Sequence, residues 1–199
     1  MKKSVFLLLA SVAVLAGCSR GQKFTVQGTL DDVDFPAHAD SVKLEYELMP
    51  APIQEPVTSK SFMLAGSVKK PIIARLSTLG TLRRNTRTLI LEKGNITFQN
   101  GYAVGTPLND STYAFSHRVA EIAKANAADK EAQKAAIEKE FSDFVSRHKN
   151  DPCAVYAILF ANHRLEPKFI RELIKSTSPE IQNDGEVHGL NSTLKRLPF

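Results

Sequence analysis

Leu15-Ala16-Gly17-Cys18 is a stretch whose residue types and spacing specify a covalent reaction. Met1-Lys2-Lys3 supplies a short positive region, Val5 to Leu15 an apolar core, and small residues precede the cysteine. That order predicts a bacterial lipoprotein signal over residues 1–17. Cys18 then becomes the first mature residue and carries lipid on its sulfur and its new amino group. The apolar core is too short to cross a bilayer, which needs roughly 20 apolar residues of helix. Each buried CH₂ contributes about 0.8 kcal/mol, so two or more acyl chains hold a protein stably at a membrane. The expected partner at this end is the membrane itself.

The other reactive side chains read differently. Cys153 falls in the first turn of a helix opened by Asp151-Pro152, where the helix dipole lowers a thiol pKa. The Ala-Val-Tyr-Ala-Ile-Leu-Phe run that follows reads as core, so burial is the expectation. With Cys18 acylated, Cys153 is the remaining thiol, which excludes an intramolecular disulfide and a Cys-x-x-Cys pair. The histidines His38, His117, His148, His163 and His188 are scattered, and local sequence assembles no zinc ligand set from them. His148 suits the C-terminal end of a helix. Asp31-Asp32-Val33-Asp34 lacks the glycine and distal glutamate of a calcium loop and reads as a solvated turn.

Arg83-Arg84-Asn85-Thr86-Arg87 lies between two predicted strands, at a hairpin tip. The guanidinium groups of Arg83, Arg84 and Arg87 suit a carboxylate, a phosphate or an anionic headgroup, which makes this the expected contact surface. No nucleophile elbow, P-loop or dinucleotide fingerprint is present. The sequence therefore supplies no catalytic residue, metal ligand set or cofactor site.

The elements that must position these residues change character near residue 108. Before it, period-two runs predict strands at Phe24–Leu30, Ser41–Leu48, Val57–Ala65, Pro71–Leu79, Thr86–Glu92 and Asn95–Gln99, with a short Tyr102–Val104 piece. Asn100-Gly101 marks a two-residue hairpin, because both positions favour positive φ. Six or seven short strands with tight turns predict an antiparallel sandwich or open barrel. After Pro107 the period is helical. Phe115, Val119, Ile122 and Asn126 share a face, with Asn109 or Asp110 as the expected cap. Ile137, Phe141, Phe144, Val145 and His148 make a second stripe. Asp151-Pro152 opens a third helix, and Pro167 and Pro179 open two more short ones ending near Leu197. The class is α+β, with signal 1–17, tether 18–21, β domain 22–108 and helical subdomain 109–199.

Removing residues 1–17 from the 199 leaves 182 and takes Lys2 and Lys3 with it, so 24 basic residues face 21 acidic, a formal +3. That mild balance, without a basic stripe interleaved with aromatics, argues against nucleic acid as a partner.

Phe24-Thr25-Val26-Gln27-Gly28-Thr29-Leu30 just after a lipobox resembles the start of a Bacteroidota family known only as domain of unknown function 4369. Val42-Lys43-Leu44, the Phe62–Gly66 strand, and Leu89-Ile90-Leu91-Glu92-Lys93-Gly94 leading into Ile96-Thr97-Phe98 carry the same resemblance. So do Val104-Gly105-Thr106-Pro107-Leu108-Asn109-Asp110 at the join to the helices and Asn150-Asp151-Pro152 within them. In that family the domain precedes a thioredoxin fold in lipid-anchored thiol-disulfide oxidoreductases. The resemblance implies that a Gly-x-x-Ala-Pro segment and a Cys-x-x-Cys domain would follow about where Leu197-Pro198-Phe199 stands. The expected function is therefore a non-catalytic binding or accessory protein of the cell envelope. The alternative is the accessory part of a split oxidoreductase, with a thioredoxin-like partner encoded separately. Ser19 is compatible with outer-membrane sorting, and Arg20-Gly21-Gln22-Lys23 lacks an acidic export cluster, which favours the periplasmic face. Asp40-Ser41-Val42 and Asp110-Ser111-Thr112 resemble the phylum's O-glycosylation sequon, making Ser41 and Ser111 the expected sugar sites.

Overall fold

Alternating runs become strands here because one face of each meets a second sheet. The structure is a computed structural model, and it describes residues 21–47, 49–80, 85–162 and 164–196. The strands are β1 (Gln22–Thr29), β2 (Ser41–Tyr46), β3 (Ile53–Pro56), β4 (Ser61–Val68), β5 (Ile72–Leu79), β6 (Thr86–Leu91), β7 (Gly94–Gln99) and β8 (Tyr102–Val104). They form two four-stranded sheets, ordered β4-β1-β7-β8 and β3-β2-β5-β6. Phe24, Val26, Leu64 and Ile96 of the first meet Val42, Leu44, Leu76 and Leu89 of the second in one buried cluster. The α+β class follows, with a mostly antiparallel two-sheet β part ahead of the helices.

Two details depart from the patterning. β1 and β7 pair in parallel, Phe24 opposite Gly94 and Val26 opposite Ile96. Side-chain alternation is the same for either strand direction, so it carried no warning of this. Eight strands are described rather than six or seven: β3 lies ahead of the run expected at Val57–Ala65, and that run becomes strand only from Ser61, as β4. Ser59 and Lys60 take φ of 51° and 63°, and Thr58 and Ser61 exchange backbone hydrogen bonds around them, so these residues form the turn into β4. Asn100 and Gly101 do the same between β7 and β8, with φ of 51° and 81°, as their types predict.

The helices are α1 (Pro107–Ala125), α2 (Lys130–Arg147), α3 (Pro152–Ala161), α4 (Pro167–Lys175), α5 (Pro179–Gln182) and α6 (Gly185–Leu194). α3 lies on the outer face of the second sheet, where Ile73 of β5 and Ile90 of β6 point away from the sandwich and join Val155 and Ile158. With a sheet on one side and helices on the others, α3 is apolar all round. Phe115 of α1 sits at the centre of the helical core. It is stacked on Phe144 at 4.1 Å and edge-on to Phe141 at 5.0 Å. Among the described residues, no helix is long and apolar enough to cross a membrane.

The start of α1 differs from expectation. Thr106 is the N-cap, with Pro107 in the first turn, so Asn109 and Asp110 are already helical. The free N–H groups of Leu108 and Asn109 are taken by the Glu92 carboxylate at 2.8 and 3.3 Å, reaching in from beyond β6. Asp110 turns back to accept from the Gly105 N–H at 2.7 Å. Asn109 is 0% exposed and bonds the edge of β6. It accepts from the Ile90 N–H at 3.0 Å and donates to the Ile90 carbonyl at 2.7 Å, as a neighbouring strand would. A second donation goes to the Thr106 hydroxyl at 2.8 Å, which explains why that hydroxyl does not cap the helix.

Candidate functional site

Arg87 is the described member of the expected arginine surface; Arg83 and Arg84 lie outside the described residues, as do Cys18, His163 and the signal segment. Arg87 belongs to β6 rather than to a hairpin tip. Its Nε donates to the Val33 carbonyl at 2.8 Å, and Nη2 donates to the Asp34 carbonyl at 2.9 Å and the Asp34 carboxylate at 2.7 Å. The guanidinium also lies 5.4 Å over the Phe35 ring. These bonds tie the 31–34 turn to the sheet. The turn is accordingly built rather than merely solvated: Val33 is fully buried and Asp32 bonds both the N–H and the hydroxyl of Thr29.

Beside Arg87 a cleft of about 730 Å³ opens between β6, the β7–β8 turn and the end of α3. Arg75 and Arg164 line it with Tyr102, Tyr156 and Phe160. Arg75 is paired with Glu186, and Arg164 lies 3.6 Å over the Phe160 ring while donating to the Phe160 carbonyl at 3.0 Å. Tyr156 shares a hydrogen bond with the Ser116 hydroxyl at 3.0 Å, and burial pushes its phenol up. Three guanidinium groups line the cleft together with two carboxylates, Asp34 paired with Arg87 and Glu186 paired with Arg75, and with aromatic rings. Such a lining suits a segment that offers a carboxylate and an apolar or aromatic side chain, since arginine forks match carboxylate geometry.

A second cluster joins three helices. His148 ends α2 as its C-cap, the place its position predicts. Asp151 caps α3 through the Cys153 N–H at 2.9 Å. The other Asp151 oxygen lies 2.9 Å from His148 Nδ1, and His148 Nε2 lies 3.1 Å from the Ser111 hydroxyl of α1. Cys153 is 0% exposed and donates weakly to the Leu108 carbonyl at 3.6 Å. Burial, then the neighbouring Asp151 and Glu92 carboxylates, push its thiol far up, so it stays protonated despite the helix N-terminus. The expected burial of Cys153 is therefore found. The imidazole, carboxylate and thiol ligand atoms all lie within 4.8 Å of one another. Reading the histidines singly missed this grouping. The available signal was the spacing His148, Asp151, Cys153 across a helix-ending histidine and an Asp-Pro helix start.

The chain separates the remaining residues singled out. Ser41, in β2, is 9% exposed and accepts from the Gln54 amide at 3.1 Å. Ser111 is half-buried and engaged with His148. A sugar on either hydroxyl would have to displace those contacts. His117 pairs with Glu121 on the exposed face of α1, and His38 and His188 belong to neither cluster. Set beside known protein families, curated proteins and solved structures, the chain matches none of them.

Proposed function

We propose that this chain is a lipid-anchored protein of the cell envelope, held at a membrane through Cys18 and acting as a non-catalytic binding or accessory domain. The outer membrane facing the periplasm is its proposed address. Its ligand is a protein or peptide segment, recognised in the cleft beside β6. The observation that supports this reading is the lining of that cleft, where Arg75, Arg87 and Arg164 stand with Tyr102, Tyr156 and Phe160 around about 730 Å³. A concave surface of that size with a few convergent polar groups is the usual form of a binding site.

Site-specific photo-crosslinking tests it. A benzophenone side chain replacing Leu159 at the cleft should give a discrete covalent adduct in intact cells, and the same group replacing Met63 on β4 should not. Arg75→Ala together with Arg164→Ala should reduce the Leu159 adduct several-fold. Identical adduct patterns from the two positions would refute the cleft as the binding surface. The identity of the adduct also separates an unrelated envelope protein from a thioredoxin-like partner.

A further inference from the structure

The α2–α3 turn holds its polar groups in an arrangement that helix capping alone does not require. Each of two ligand-type side chains is anchored by its far atom. His148 Nε2 is fixed by the Ser111 hydroxyl at 3.1 Å, and one Asp151 oxygen is fixed by the Cys153 amide at 2.9 Å. Their near atoms, His148 Nδ1 and the second Asp151 oxygen, face each other at 2.9 Å. Two ligands on a tetrahedral zinc ion, with bonds of about 2.0–2.1 Å, stand about 3.3 Å apart, so little movement separates this pair from a ligating one. The Cys153 sulfur completes a trio within 4.8 Å.

Burial and charge point the same way. The His148 side chain is 19% and the Asp151 side chain 34% exposed, whereas Cys153 is 0% exposed, so the thiol is the innermost of the three groups and the other two reach solvent. The Asp151 and Glu92 carboxylates place negative charge near the thiol. A cation relieves this field. Nitrogen, oxygen and sulfur ligands from one side chain each suit zinc or cobalt rather than calcium or magnesium, which take oxygen.

We propose that His148 Nδ1, an Asp151 carboxylate oxygen and Cys153 Sγ bind one divalent ion of zinc type, with solvent as the fourth ligand. On binding, the thiol proton leaves to solvent and the imidazole proton resides on Nε2, where it donates to Ser111. Ser111 thus sets the tautomer, the usual task of an outer hydrogen-bond partner at a metal-bound histidine. The binding is proton-linked and weakens as pH falls.

The test is cobalt titration of the full chain carrying Cys18→Ser, so that Cys153 is the only thiol. One equivalent of Co²⁺ should produce a thiolate-to-cobalt charge-transfer band and tetrahedral d–d bands, and Zn²⁺ should abolish both. His148→Gln and Cys153→Ser should each remove the sulfur band. Ser111→Ala should keep the band and weaken zinc binding about 10- to 100-fold. Circular dichroism separates loss of a ligand from loss of the fold, and the titration before these further substitutions decides the matter by itself. A folded protein with no sulfur band at stoichiometric Co²⁺ overturns the proposal. So does cobalt binding without sulfur character, which would mark surface carboxylates only.

Discussion

Replacing Asn109 by alanine should be among the most damaging polar substitutions in this protein. The side chain is fully buried where α1 meets the edge of β6. Truncation removes the acceptor of the Ile90 N–H (3.0 Å) and the donor to the Ile90 carbonyl (2.7 Å), and Ile90 is itself 0% exposed. A buried backbone group left without a partner costs about 1–3 kcal/mol, so two of them give about 2–6 kcal/mol. Partial entry of water pulls the expectation to about 3 kcal/mol, a large share of a typical domain's stability. Equilibrium urea unfolding of Asn109→Ala should show that loss, and hydrogen exchange should show the Ile90 amide losing protection. Asn109→Asp provides the control with a sign. It keeps the acceptor but sets a carboxylate oxygen against the Ile90 carbonyl and beside Glu92, 3.5 Å from the present amide nitrogen. Its folded-state pKa must rise above the unfolded value of about 3.9, so the variant regains stability as pH falls through that folded value. A loss below about 1 kcal/mol for Asn109→Ala, with Ile90 still protected, would refute the strand-mimic role.

Cys153 should react slowly with a thiol reagent in the native, metal-free protein and rapidly in denaturant, and the purified protein should not reduce insulin; fast native labelling would contradict the buried thiol. Asp184, the N-cap of α6, has its carboxyl raised by burial against its two capping amide bonds. Its raised pKa means that stability from this group is present at low pH and is lost as pH rises from the unfolded value through the folded one. Asp184→Asn keeps the cap without that loss and should leave stability at pH 7 unchanged or higher, whereas Asp184→Ala should cost about 1 kcal/mol in thermal or urea unfolding. Cys18→Ser should release the protein from the membrane fraction or leave it unprocessed, and unchanged fractionation and mass would refute lipidation. Intact mass also reads glycosylation at Ser41 and Ser111: polypeptide plus lipid alone would remove it.

Much of the fold was legible because its signals are local. Tyr102–Val104 follows from Asn100-Gly101, and α3 begins where Asp151-Pro152 says it should. Its apolar run reads correctly as core because Cys153 to Ile158 is enclosed between the second sheet and the other helices. What was hidden depends on distant residues. The cap of α1 comes from Glu92, and the parallel partner of β1 is about 70 positions along the chain. Val57 to Ala65 alternates well enough to pass for one strand, and positive φ at Ser59 and Lys60 leaves no mark in residue types that rarely adopt it. The candidate site shows the same division. Arg87 reads as a loop cation until the 31–34 turn is seen folded over it, and the cleft beside it draws on β5, β6, α3 and α6 together.

The placement of β1 has a mechanical consequence. It is an inner strand of its sheet, held by β4 along its whole length on one side and by β7 on the other. A pull on the backbone ahead of Gln22 runs along the strand axis, across both ladders of hydrogen bonds. Such a load shears many bonds together instead of peeling them one at a time. The amino-terminal end of the β part is thus its stiffest handle, and tension applied there would load both ladders of the sheet before any strand yields.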